Sequence, residues 1–184
     1  MEIRHERPAD RAGVRALHLA AFGDHSDVVV RLVDKLRARL TPSNGLSLVA
    51  TADDMILGHV LFTRSLLDSP ARLVDVQVLS PVAVMPQRQR QGIGSTLIRR
   101  GLKTVAARNV PLVFLEGDPS YYSRLGFDAA AAQGFRKPSL RIPDAAFHVA
   151  KLEAYESWMT GTLVYAEPFW ECDAVGLRDT PAAA

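Results

Sequence analysis

The chain has 184 residues, a length that favours a single domain, and its 48% hydrophobic and 23% charged residues are typical of a folded globular protein. A formal net charge of +2 is too small to indicate a nucleic-acid-binding protein, and Cys172, the only cysteine, excludes an internal disulfide framework. The N-terminal residues lack the apolar core of a signal peptide, and no apolar run approaches the ~20 residues that span a bilayer, so we predict a cytoplasmic protein without a membrane segment.

The first part of the chain alternates strand and helix patterns. Pro8 and Asp10 are typical of a helix start, and apolar residues then recur at helical spacing until a loop that begins at Gly23. The predicted elements here are a strand at 2–7, a helix at 8–22, a loop at 23–27, a helix at 29–40, a turn at 42–45, and two strands at 46–51 and 55–63.

A long strand followed by an amphipathic helix dominates the second part. Pro81 lies inside the strand predicted at 73–84, and because proline cannot donate to a central ladder, we expect a bulge or a local separation from a neighbouring strand there. The helix begins at Ile93 and continues to about Asn109. The remaining predicted elements are a buried strand at 110–115, a short helix at 119–125, and late strands at 147–154 and 161–166.

The run from Pro86 to Gly94 joins this strand to this helix. The first backbone N–H groups of a helix have no intrahelical partner, and the helix dipole adds partial positive charge there. Gly92 and Gly94 allow a close approach of the backbone, and Arg88 and Arg90 add charge nearby. The pattern therefore predicts an anion at the helix start, with a turn that serves packing alone as the alternative.

Two common nucleotide-binding motifs do not fit this run. A P-loop requires a lysine after its last glycine, whereas Gly94 is followed by Ser95. A dinucleotide fingerprint requires a third glycine, and Leu97 occupies that position.

The sequence resembles the GNAT superfamily of N-acetyltransferases at two landmarks in the right order. The residues Gln89-Arg90-Gln91-Gly92-Ile93-Gly94 match the family pattern Gln/Arg-x-x-Gly-x-Gly/Ala after its fourth strand. An aromatic residue four places before Gly-Phe is the second landmark, and Tyr122 stands there before Gly126-Phe127. The order of predicted elements extends the resemblance over most of the chain.

The resemblance implies a binding site for acetyl-CoA, used as co-substrate and without a metal. In this family the fourth and fifth strands splay apart, and the pantetheine arm lies in the opening. The implied contacts are strand-like hydrogen bonds to β-strand residues Val82, Ala83 and Val84, backbone amides of Gln89, Arg90, Gln91, Gly92, Ile93, Gly94 and Ser95 around the pyrophosphate, and Ser123 and Arg124 near the phosphate end.

The resemblance also implies direct attack of an amine on the thioester, with Tyr122 as general acid for the thiolate. The ordinary pKa of a phenol, ~10, is close to that of an alkyl thiol, which suits this role; a packed aromatic residue is the alternative. Many relatives carry a catalytic glutamate about eleven places before the motif glutamine, where this chain has Val78. Glu116 at the end of the fifth strand is the best remaining candidate for the general base, with a solvated strand end or an ordered water chain as alternatives.

The other reactive residue types have structural interpretations. The five histidines show no ligand-like spacing, so no metal site is expected, and we interpret His59 and His148 as half-buried packing residues rather than a catalytic dyad. Cys172 is interpreted as an ordinary thiol.

The sequence thus predicts an α/β (α+β) single domain over 1–180 with a tail at 181–184, a mixed sheet of six to seven strands and about four helices. The predicted function is acetyl transfer from acetyl-CoA to a primary amine of a small molecule, peptide or protein. A non-catalytic acyl-CoA-binding sensor or partner protein on the same fold is the alternative. A monomer or homodimer is expected, and residues 22–31 and those after about 130 would select the acceptor.

Overall fold

The computed structural model describes residues 1–176, so the tail predicted at 181–184 lies outside the described residues. Within this range there are five α-helices: α1 (Arg11–Phe22), α2 (Ser26–Ala38), α3 (Ile93–Ala106), α4 (Pro119–Tyr122) and α5 (Glu167–Glu171). The nine strands are β1 (Glu2–His5), β2 (Gly45–Ala52), β3 (Met55–Asp68), β4 (Leu73–Val84), β5 (Leu112–Glu116), β6 (Asp128–Ala129), β7 (Phe135–Arg136), β8 (Phe147–Lys151) and β9 (Gly161–Val164). None of these helices is long and apolar enough to cross a membrane.

One mixed sheet contains all nine strands. Its order is β1-β2-β3-β4-β5-β8-β6, and β9 pairs with the end of β3 and carries β7 on its other edge. The pairs are antiparallel except β4 with β5 and β7 with β9. This confirms the predicted mixed α/β class, and the strands beyond the six or seven expected are the two-residue strands β6 and β7.

β4 and β5 separate after a short stretch of pairing. Only Gln77 with Val113 and Val78 with Phe114 are in register, whereas β4 stays paired with β3 as far as Val84. The edge of β4 that faces β5 is therefore free of strand partners from residue 79 onward, among the residues described. The predicted irregularity at Pro81 is confirmed, because the β3–β4 register shifts there.

Hydrophobic residues pack on both faces of the sheet. One cluster includes Phe114 and Phe147 and contacts α2 through Leu36; the other lies under α3 and α4 and includes Phe62 and Phe127. The alternation of side chains along β5 explains why its residues contribute to both clusters. Because the sheet is buried on both faces, successive side chains at the ends of β4 and β5 point to opposite faces of the sheet.

A buried polar network ties α1 and α2 to the sheet. Arg37 pairs with Glu6 at 2.8 Å, Glu6 accepts from the Ser47 hydroxyl, and Ser47 bonds His59 Nε2 at 2.9 Å. Because a carboxylate only accepts, Ser47 donates to Glu6, His59 Nε2 donates to Ser47, and His59 Nδ1 accepts from His18 Nε2 at 2.8 Å. His59 is 0% exposed, so the prediction of a half-buried residue was wrong about its burial.

Candidate active site

The loop before α3 has the backbone shape of an anion-binding turn. Arg90 and Gly92 have φ angles of +60° and +82°, in the left-handed region, and Gly92 caps the helix. The first helical bond of α3 joins the Thr96 N–H to the Gly92 carbonyl, so the amides of Ile93, Gly94 and Ser95 have no intrahelical acceptor. Successive amides in such a turn, together with the helix dipole, favour a negatively charged ligand.

A cleft of about 660 Å³ opens between this turn, the free edge of β4 and the segment of α4. The lining residues are Val82, Ala83, Val84, Gln89, Arg90, Gly92, Ile93, Gly94, Ser95, Arg99, Tyr121, Arg124 and Leu125. The predicted cofactor-binding residues all line it except Gln91 and Ser123. The side-chain amide of Gln91 donates to the backbone carbonyl of Gln87 at 3.4 Å.

Arg99 and Tyr121 line the cleft although the sequence reasoning did not single them out as ligands. Arg99 follows Ser95 by one helical turn, a spacing that could have placed both on one face of α3. The Tyr121 hydroxyl lies 3.4 Å from Ser95 Oγ and so close to Gly94 that a Cβ there would be 2.8 Å from it. Three arginines and no acidic side chain line the cleft within the described range, so its field favours an anion.

Tyr122 is buried beside the cleft, at 8% exposure. Its ring makes edge contacts with Tyr121 and Phe127 at centroid distances of 5.0 and 5.8 Å, and it lies over Gly117, where any Cβ would collide with the ring. Its hydroxyl has no hydrogen-bond partner among residues 1–176. Burial raises the pKa of Tyr122 well above its usual value, so the phenol stays protonated and the expected match to a thiol pKa is lost.

Glu116 ends β5 on the opposite face of the sheet from Tyr122. Its carboxylate accepts a hydrogen bond from the Tyr165 hydroxyl at 2.7 Å and another from the backbone N–H of Gly176. Burial raises the pKa of Glu116 although both bonds favour the ionised form. The position is therefore partly buried and hydrogen-bonded rather than a solvated strand end, and Val78 is an apolar core residue at 1% exposure.

His59 and His148 do not form a dyad. His59 belongs to the polar network under α1, whereas His148 lies on β8 opposite Leu115, with its ring 6.3 Å from the Tyr122 ring. His148 is 2% exposed, more buried than the sequence reasoning expected. No group of three or more His, Cys, Asp or Glu side chains in the described part of the chain is arranged to hold a metal. Cys172 is a buried thiol.

Comparisons with known proteins agree on one family. The model of the acetyltransferase (GNAT) domain matches residues 2–130. The uncharacterised N-acetyltransferases YjhQ and YhbS of Escherichia coli are 32% and 34% identical to this chain, over 87% and 92% of its length and 89% and 98% of theirs. The crystal structure of E. coli YhbS in complex with CoA has a TM-score of 0.80 at 31% identity and 91% coverage of both chains. A GNAT family acetyltransferase from Brucella melitensis in complex with acetyl-CoA has a TM-score of 0.72 at 33% identity, covering 91% of this chain and 97% of the other.

Proposed function

This chain belongs to the GNAT family of acetyltransferases, and from that premise we propose that it transfers the acetyl group of acetyl-CoA to a primary amine by direct attack in a ternary complex. The observation that carries the proposal is the arginine-rich cleft at the start of α3, which continues along the free edge of β4. The acceptor is proposed to be an amine of a small molecule, peptide or protein.

The donor is proposed to bind in two parts. Its pyrophosphate accepts hydrogen bonds from amides of the turn at 89–95, supported by the charges of Arg90, Arg99 and Arg124. Its pantetheine amides pair with the backbone of 82–84, which has β3 on one edge only. The complexes of YhbS with CoA and of the Brucella melitensis protein with acetyl-CoA support this choice of ligand.

Tyr122 is proposed to act on the departing sulfur. Since burial keeps its phenol protonated, the hydroxyl is a hydrogen-bond donor at every working pH, and a developing thiolate is a strong acceptor for it. Full proton transfer to sulfur would leave a buried tyrosinate, which is costly unless the proton is replaced.

The test is release of the CoA thiol from acetyl-CoA in the presence of a panel of amines. We expect amine-dependent release, and a Tyr122→Phe variant with kcat lower by about 100-fold, because it loses the acid that acts in the transition state. Tyr121→Phe is the matched control: its hydroxyl faces Ser95, so it should change the affinity for acetyl-CoA and leave kcat unchanged. CoA binding without turnover on any amine would contradict the transfer and favour the sensor function.

Glu116 is proposed as the general base, and its environment predicts a pH effect. A base must be ionised, so kcat should fall as the pH drops through the raised pKa of Glu116. The hydrogen bond from the Tyr165 hydroxyl lowers the pKa of Glu116, so Tyr165→Phe should move the acidic limb of the kcat–pH profile to higher pH. Glu116→Gln should abolish this acidic limb. If the acidic limb is unchanged in both variants, Glu116 is not the general base. The control is Thr63→Val, which changes a buried residue away from the end of β5.

A further inference from the structure

His148 has an unmet hydrogen-bonding requirement beside Tyr122. It is 2% exposed, and neither ring nitrogen has a protein partner among the described residues. A neutral imidazole always carries one N–H donor and one lone pair, so both are buried without compensation from the protein. Buried polar groups are nearly always hydrogen-bonded, so leaving both nitrogens of His148 unpaired is unfavourable.

His148 lies next to Tyr122, on the same face of the sheet. β8 pairs with β5 so that His148 lies opposite Leu115, on the face of the sheet that holds Tyr122. The ring centroids are 6.3 Å apart and the rings are tilted by 35°, so the two side chains are neighbours that do not stack directly. The Tyr122 hydroxyl also lacks a protein partner in residues 1–176. Asp118, an exposed carboxylate at the start of α4, lies near enough to His148 for the two side chains to interact electrostatically.

We propose that His148 is a positioning and proton-relay residue for Tyr122, to which it is joined through a bridging water; this rests on the proposed acetyl transfer. When the tetrahedral intermediate collapses, the C–S bond breaks and sulfur takes the electron pair and the proton of the Tyr122 hydroxyl. The Tyr122 oxygen takes a proton from the water, and the water takes one from the His148 N–H. The other nitrogen of His148 takes a proton that a second water passes in from the solvent around Asp118, so the imidazole stays neutral and no tyrosinate is left buried.

The kinetic test is a double-mutant cycle measured in single turnovers. His148→Phe preserves the ring shape and is expected to lower the acetyl-transfer rate by roughly tenfold, with acetyl-CoA affinity unchanged, and to add nothing in a Tyr122→Phe background. His148→Gln, which hydrogen-bonds but cannot relay a proton, should be slowed as well and covers the case in which the phenylalanine variant fails to fold. Thr63→Val removes another buried hydroxyl that has no partner, and should leave the rate unchanged. The relay would be overturned if both His148 variants transfer acetyl at the wild-type rate. It would also be overturned if the His148 substitution lowers the rate by the same factor in the wild-type and Tyr122→Phe backgrounds.

A second readout does not depend on turnover and so separates this inference from the proposed function. In histidine-selective ¹⁵N NMR of the intact protein, Tyr122→Phe should shift the ring nitrogens of His148, whereas Thr63→Val should not. Unshifted His148 signals would overturn the coupling even if the enzyme acetylates amines. A shift together with no amine turnover would keep the coupling and contradict only the transfer.

Discussion

Replacing Gly92 by valine is expected to weaken CoA binding by about 100-fold or more. Gly92 has a φ of +82°, a conformation that β-branched residues avoid, so the backbone of the turn must change. No protein atom lies within 4 Å of a Cβ built at Gly92, so the affinity for CoA is lost through the changed turn and the cleft it lines, and not through a clash in the core. Each amide-to-phosphate hydrogen bond is worth about 1.5–3 kcal/mol, and loss of two accounts for the 100-fold effect.

Gly23→Val is the matched control for this change. Gly23 also has a positive φ, +52°, and also has no protein atom within 4 Å of a built Cβ, but it lies between α1 and α2, away from the cleft. Calorimetric titration with CoA and thermal unfolding of both variants separate binding from stability. If the Kd of Gly92→Val for CoA is within about threefold of the Kd of Gly23→Val, the proposed phosphate-binding role of the turn is wrong.

The parts of the fold that local patterns determine were predictable from the sequence. The bounds of β4 match the prediction at 73–84, and α3 begins at Ile93 as predicted, because the glycine turn and the helical spacing both act within a few residues. The register shift at Pro81 follows from the missing N–H of proline. The residues proposed for phosphate binding are contiguous in one loop, so a local sequence pattern was enough to indicate them.

The parts that depend on distant segments were not predictable. The strands β6 and β7 have two residues each and exist only because β8 and β9 pair with them. Glu116 and Tyr165 are 49 positions apart, so no spacing rule links them. Tyr121 and Tyr122 are adjacent in sequence, and only the packing over Gly117 and against Gly94 directs one towards the core and the other towards the cleft.

Acidification from pH 7 to pH 4 is expected to reduce the free energy of unfolding substantially through His18 and His59. Burial lowers the pKa of His18 to about 3 and also lowers the pKa of His59, so both stay neutral in the folded protein. The unfolded chain binds these protons below about pH 6.5, so stability is fully present above that pH and is lost as the pH falls towards 3. For His18 alone the loss by pH 4 is on the order of 3 kcal/mol. Denaturant unfolding at stepped pH values measures it.

Glu6 adds to the same acid sensitivity at lower pH. Burial acts to raise its pKa, but the neighbouring His59 ring, the hydrogen bond from Ser47 and the charge of Arg37 outweigh burial and lower the pKa to about 2. Its contribution is present above about pH 4.5 and is lost between 4.5 and 2. The free energy of unfolding of the double variant His18→Leu/His59→Leu should therefore change less than that of the wild type between pH 6.5 and 4.5, and should still fall below that range. The control variant His25→Gln, at an exposed position, should show the same pH dependence as the wild type. A double variant with the wild-type slope above pH 4.5 would mean that other groups, and not the histidine pair between α1 and β3, make the fold acid-sensitive.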